Sequence, residues 1–131
     1  MSRPVTKLKT LLLDVENDRT EIIEIEDTLY AFYAKLNCDC IDIVERKIDG
    51  KTFDVMCDDN GLFAVSEPKI SAINDMGEVM FVGNLMFFNE DEEGNLVSLS
   101  DADISHIMKN IRNMSTYKYL DGYKMLTQCE Y

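Results

Sequence analysis

Ile41-Asp42-Ile43-Val44-Glu45-Arg46-Lys47-Ile48-Asp49-Gly50-Lys51-Thr52-Phe53-Asp54-Val55-Met56-Cys57 is the stretch whose pattern decides the fold. Two runs rich in β-branched and aromatic residues flank Asp49-Gly50, a pair that tolerates positive φ at both central positions of a tight hairpin turn. The spacing predicts two antiparallel strands, with Phe53, Val55 and Cys57 on one face because side chains alternate along a strand. A second turn, Asp58-Asp59-Asn60-Gly61, leads into Leu62-Phe63-Ala64-Val65, so a three-stranded meander is expected.

Upstream, an apolar run over residues 8–15 meets the polar turn Glu16-Asn17-Asp18-Arg19. Glu21-Ile22-Ile23-Glu24-Ile25-Glu26 follows, with Ile23 and Ile25 inward at period two, which completes a first hairpin. Asp27 reads as the N-cap of a helix whose apolar face holds Leu29, Phe32, Tyr33 and Leu36. Downstream, Glu67-Pro68 breaks the sheet, and residues 69–77 form a connector with no assigned structure. Residues 79–88 are apolar almost throughout and read as one central strand, with Gly83 marking a bulge or a close backbone approach. Leu96-Val97-Ser98 lies beyond a polar turn, and Ser100 with Asp103 forms a capping box. The helix it opens carries Ile104, Ile107, Met108 and Ile111 on one side. A last hairpin is expected around Asp121-Gly122, with Tyr123, Met125, Thr127 and Cys129 alternating after it. These elements make one α+β domain over residues 1–131, a largely antiparallel sheet built from hairpins with two main helices packed on it.

The chain of 131 residues is long enough to bury a core without staples, and its 6 Gly and 2 Pro exclude low-complexity classes. No run is long and apolar enough to span a bilayer. The apolar run after Lys7 and Lys9 is too short for a secretory core, so a cytoplasmic location with reduced thiols is expected. Net charge is −12, and twelve of the 25 acids lie between Thr52 and Met108 against a single base, Lys69. A field of that sign repels phosphate backbones, which excludes direct nucleic-acid binding as the leading role. It attracts basic surfaces instead. The plainer alternative is a solvated face that maintains solubility.

Reactive motifs are missing: the sequence has no phosphate loop, no zinc-protease helix, no nucleophile elbow and no dinucleotide-binding glycine pattern. Ser105 and His106 are neighbours on a helix and diverge, and Asp58 and Asp59 as neighbours point apart, so neither pair is a catalytic couple. No enzyme, cofactor or metal site is expected. Cys38-Asp39-Cys40 lacks the spacing of a zinc knuckle; Cys57 and Cys129 fall on apolar strand faces, and His106 sits in another element. Asn89, Asp91, Glu93 and Gly94 imitate the start of a calcium loop, but Ser100 stands where the closing Glu belongs.

Residues 22–107 resemble the domain-of-unknown-function family numbered 3846. The carriers are Ile41-Asp42-Ile43-Val44-Glu45, Cys57-Asp58-Asp59-Asn60-Gly61-Leu62, Ser71-Ala72-Ile73, Val82-Gly83-Asn84-Leu85, Glu93-Gly94-Asn95 and Ser98-Leu99-Ser100-Asp101-Ala102-Asp103-Ile104. The resemblance brings no catalytic residues with it. It implies a setting among accessory genes of phages, plasmids and integrative elements, whose products commonly act on host systems by binding. The leading expectation is therefore a non-enzymatic protein that blocks a basic host factor, a defence component being the case in view. Asp58, Asp59, Glu90, Asp91, Glu92 and Glu93 would form its acidic docking surface. The alternative is capture of a small nucleotide-type ligand at two turns, Asn60-Gly61 and Gly83-Asn84, provided Arg46, Lys47 or Lys51 reaches the pocket.

Overall fold

The first two strands, β1 (Lys7–Asp14) and β2 (Arg19–Glu26), pair antiparallel from Lys7 opposite Glu26 to Asp14 opposite Arg19. The computed structural model describes residues 6–15, 17, 19–38, 40–58, 70–74, 76–116, 119–127 and 129–130. Helix α1 (Leu29–Leu36) follows, and its N-cap is Thr28 rather than Asp27. The Thr28 hydroxyl accepts from the Ala31 N–H at 3.2 Å, satisfying one of the helix's orphan donors. Phe32 and Leu36 are buried, whereas Leu29, assigned by spacing to the same face, stays 58% exposed at the helix start.

The deciding hairpin is present as read. Strands β3 (Ile41–Ile48) and β4 (Lys51–Asp58) place Ile48 opposite Lys51, and Asp49 and Gly50 turn between them with φ of 48° and 83°. The expected third strand of the meander, residues 62–65, lies outside the described residues. The connector left unassigned by the sequence contains β5 (Ile70–Ile73).

Residues 79–88 are two strands rather than one: β6 (Val79–Val82) and β7 (Leu85–Glu90). Each obtains its backbone partners in a different sheet, and Gly83, at φ 79°, makes the change of direction that a side-chain-bearing residue resists. After β7 come the short β8 (Leu96–Val97) and helix α2 (Asp101–Met108), whose capping box joins Ser100 and Asp103 as the sequence indicates. The helix ends at Met108, so Ile111 belongs not to its face but to the next strand, β9 (Ile111–Thr116). Strand β10 (Tyr119–Leu126) contains Asp121 and Gly122, which therefore do not form the last hairpin turn. They lie where the pairing slips, Tyr119 facing Thr116 but Tyr123 facing Met114. The last strand is β11 (Cys129–Glu130).

The larger sheet runs β11-β3-β4-β7-β1-β2 with β8 beside β7, and the smaller runs β6-β5-β10-β9. Among the described residues, pairing is antiparallel except between β5 and β10. On one face of the larger sheet, Leu8, Leu12, Met56, Met86 and Phe88 form a cluster with Phe32 and Leu36 of α1. On the other, Leu11, Leu13, Phe53, Val55 and Phe87 pack with Ala72, Phe81 and Leu126 of the smaller sheet and with Ile104 and Ile107 of α2. Strands covered on both faces lose the apolar–polar alternation, which is why β1 and β7 read as continuous apolar runs. Among the described residues, no helix is long and apolar enough to cross a membrane.

Candidate functional site

Glu45 stands opposite Asp54 across β3 and β4, and Asp54 stands opposite Phe88 across β4 and β7. Glu90, two residues past Phe88, projects from the same sheet face. The three side chains each offer a carboxylate oxygen within 4.8 Å of the others. Asp54 is buried, 5% exposed, while Glu45 and Glu90 are exposed. They line a shallow recess of about 280 Å³ with Thr52, Phe53, Asn89 and Asp91. Burial, then a hydrogen bond with Glu90, then repulsion from Glu90 and Glu45 push the Asp54 carboxyl up to about 6. Above that pH Asp54 carries its charge beside the Glu45 and Glu90 carboxylates in one recess. Among the described residues, this is the group of acids close enough together to grip a cation jointly.

A part-buried network centred on the buried Asp103 anchors this end of the sheet. Asp103 receives Lys51 Nζ, the Asn89 amide at 2.6 Å and the Ser100 N–H at 3.2 Å. Burial alone would raise the Asp103 carboxyl, but these donors outweigh it and hold it well below the usual carboxylate range. Lys51 also lies 5.4 Å from the Phe53 ring centroid, so its charge is engaged here. The lone histidine, His106, makes a 2.7 Å contact from Nε2 to the Ile48 carbonyl. That ties α2 to the hairpin.

The acids singled out by sequence divide between two places. Glu90, Asp91, Glu92 and Glu93 are all exposed, at and just beyond the end of β7. Asp91 accepts from the backbone N–H of Asn95 at 2.8 Å and of Glu93 at 2.9 Å, and these bonds hold its carboxyl below its ordinary value. It orders the loop on which Glu92 and Glu93 sit. Asp58 lies at the far end of the ladder: Met56 already faces Met86, and six further-spaced positions, about 20 Å of strand, separate Asp58 from the level of Glu90. Asp58 and Glu90 are thus well separated along the larger sheet. Asp59, Asn60 and Gly61 lie outside the described residues.

Gly83 and Asn84 occupy the crossing between the sheets. The Asn84 side-chain oxygen accepts from the Val15 N–H at 3.0 Å, pinning the end of β1, so this turn has a structural duty. Next to it, on the hairpin face opposite the acidic recess, lies a slot of about 290 Å³. Asp42, Val44, Arg46, Cys57 and Asp58 line one side, and Met80, Phe81 and Val82 of β6 line the other. Of the three bases named with the ligand alternative, Arg46 lines this slot, and its guanidinium carbon lies 5.8 Å from the Phe81 ring centroid.

Sequence reasoning did not single out Glu45 or Asp54. The signal was present in the turn: once Asp49-Gly50 fixes Ile48 opposite Lys51, counting back places Glu45 opposite Asp54.

A family described as a domain of unknown function, DUF3846, matches residues 8–112. No curated protein matches the chain, and no solved structure does.

Proposed function

Because the chain belongs to the DUF3846 family, a domain of unknown function, its role is argued from its own surface, and we propose a non-enzymatic, cytoplasmic binding protein that receives a basic partner at its acidic end. The observation that carries this reading is the convergence of Glu45, Asp54 and Glu90 within 4.8 Å, where one buried carboxyl keeps its proton up to about pH 6. Such crowding is unfavourable in the free protein. An incoming ammonium or guanidinium relieves it, so a lysine or arginine of the partner gains more here than at dispersed surface acids. Glu92 and Glu93, held alongside on the ordered loop, extend the field that steers encounter. The setting implied by the family resemblance makes a host factor, and among these a defence component, the partner class proposed.

The test is capture from host lysate by the wild-type chain and by a Glu45→Gln/Glu90→Gln double variant, at low and high salt. The reading requires a partner that is retained at low salt, released at high salt and missed by the double variant. Retention indifferent to both salt and the two substitutions would overturn it.

A further inference from the structure

The slot against β6 lies on the opposite face of the β3–β4 hairpin from the acidic recess, and its chemistry differs. Asp42, Val44 and Arg46 alternate along one face of β3 and so line it in a row. Cys57 stands opposite Asp42, and Met80, Phe81 and Val82 form the facing wall. Cys57, Phe81 and Val82 are buried, and Val44 and Met80 are half-buried, so the middle of the slot is apolar. The charges lie at its ends. Arg46, beside the Phe81 ring, is four residues along β3 from Asp42, about 13 Å of strand, and Asp58 adds a second carboxylate at the Asp42 end. A volume of about 290 Å³ is small for a binding cleft and suits a compact metabolite.

Among the described residues the slot is lined by one cation and two carboxylates, and with a net charge of −12 on the chain this is a poor setting for phosphate. We propose that it binds a small zwitterion whose carboxylate and ammonium are separated by an apolar body. The carboxylate lies toward Arg46, the body between Val44 and the β6 wall, and the ammonium toward Asp42 and Asp58. This goes beyond partner docking and uses a different set of side chains.

The experiment is an NMR titration of the intact chain with ε-aminocaproate, caproate, hexylamine and adenosine monophosphate. ε-Aminocaproate is expected to shift the Val44, Cys57 and Phe81 amides saturably, with affinity at least about tenfold above either singly charged analogue and above the nucleotide. Asp42→Asn and Arg46→Met should each weaken it, and because Arg46 also packs on Phe81, the exposed Asp42 serves as the variant that leaves the fold intact. Asp54→Asn, which disturbs the acidic recess, should leave the titration unchanged, separating this proposal from the docking reading. Absence of saturable shifts at those amides, equal binding of hexylamine, tighter binding of the nucleotide, or indifference to Asp42→Asn would overturn it.

Discussion

Glu45 and Asp54 face each other across the β3–β4 ladder, with Asp54 buried beneath the pair's exposed edge. Like charges in directly opposed positions destabilise a sheet, and burial of one adds a desolvation cost. This hairpin therefore keeps an arrangement that folding alone does not favour, and it does so where Glu90 from a third strand joins it. That tension is the physical basis for reading the acidic end as a place that receives a cation.

The first consequence is a pH dependence. The Asp54 carboxyl titrates at about 6 in the folded chain against about 3.9 when unfolded, so between these values the folded state binds the extra proton. Stability then falls as pH rises from about 4 to about 6, and the loss is complete above that window. Asp54→Asn removes the titrating group at equal size. Urea denaturation should find the variant more stable than wild type at pH 7 by about 2 kcal/mol, with little difference below pH 4. An unchanged pH slope would contradict the raised Asp54 carboxyl.

Asp103 titrates in the other sense. Its carboxyl is held low by Lys51, Asn89 and Ser100, so its contribution is present above about pH 4 and is lost as pH falls further. Asp103→Ala opens the capping box and leaves a lysine and an amide without their acceptor. A loss of about 3 kcal/mol at pH 7 is expected by denaturant titration, with Asp103→Asn intermediate because it keeps part of the cap.

These two carboxylates also show how legible the chain is. Local signals carry well: Asp49-Gly50 fixes a hairpin, Ser100 with Asp103 fixes a helix start, and both stand as read. What fails is what depends on distant partners. Val79 through Phe88 carries one uninterrupted apolar pattern, and nothing in it says that β6 will pair with β5 while β7 inserts between β4 and β1. Asp121-Gly122 has the composition of a turn, yet the pairing of β10 with β9 absorbs it as an irregularity within the strand. The acidic recess was hidden for the same reason. Glu45 and Asp54 follow from the hairpin register, but Glu90 reaches them only because β7 lies beside β4.

Gly83 tests the sheet crossing. A Cβ there would meet nothing within 4 Å, so the consequence of Gly83→Ala comes from its φ of 79° and not from a clash. A loss of about 1 kcal/mol is expected, with the fold retained. A loss several times larger would mean that the crossing has less space than the structure shows.

Ser71 offers the opposite sign. Its hydroxyl is fully buried in β5 and, among the described residues, has no hydrogen-bond partner. Ser71→Ala removes an unsatisfied polar atom, and thermal unfolding should show a variant as stable as wild type or more stable by up to about 1 kcal/mol. A clear destabilisation would reveal a partner for that hydroxyl.

Asp58 is the control for the Glu45, Asp54 and Glu90 recess, since it is acidic but lies at the opposite end of the β4–β7 ladder from Glu90. The most direct measurement is the affinity of the captured partner for wild type, Glu45→Gln/Glu90→Gln and Asp58→Asn, each at pH 5 and pH 7. The account predicts tighter wild-type binding at pH 7, about tenfold or greater loss in the double variant, and near wild-type binding by Asp58→Asn. Equal loss in Asp58→Asn, or undiminished binding by the double variant, would contradict it.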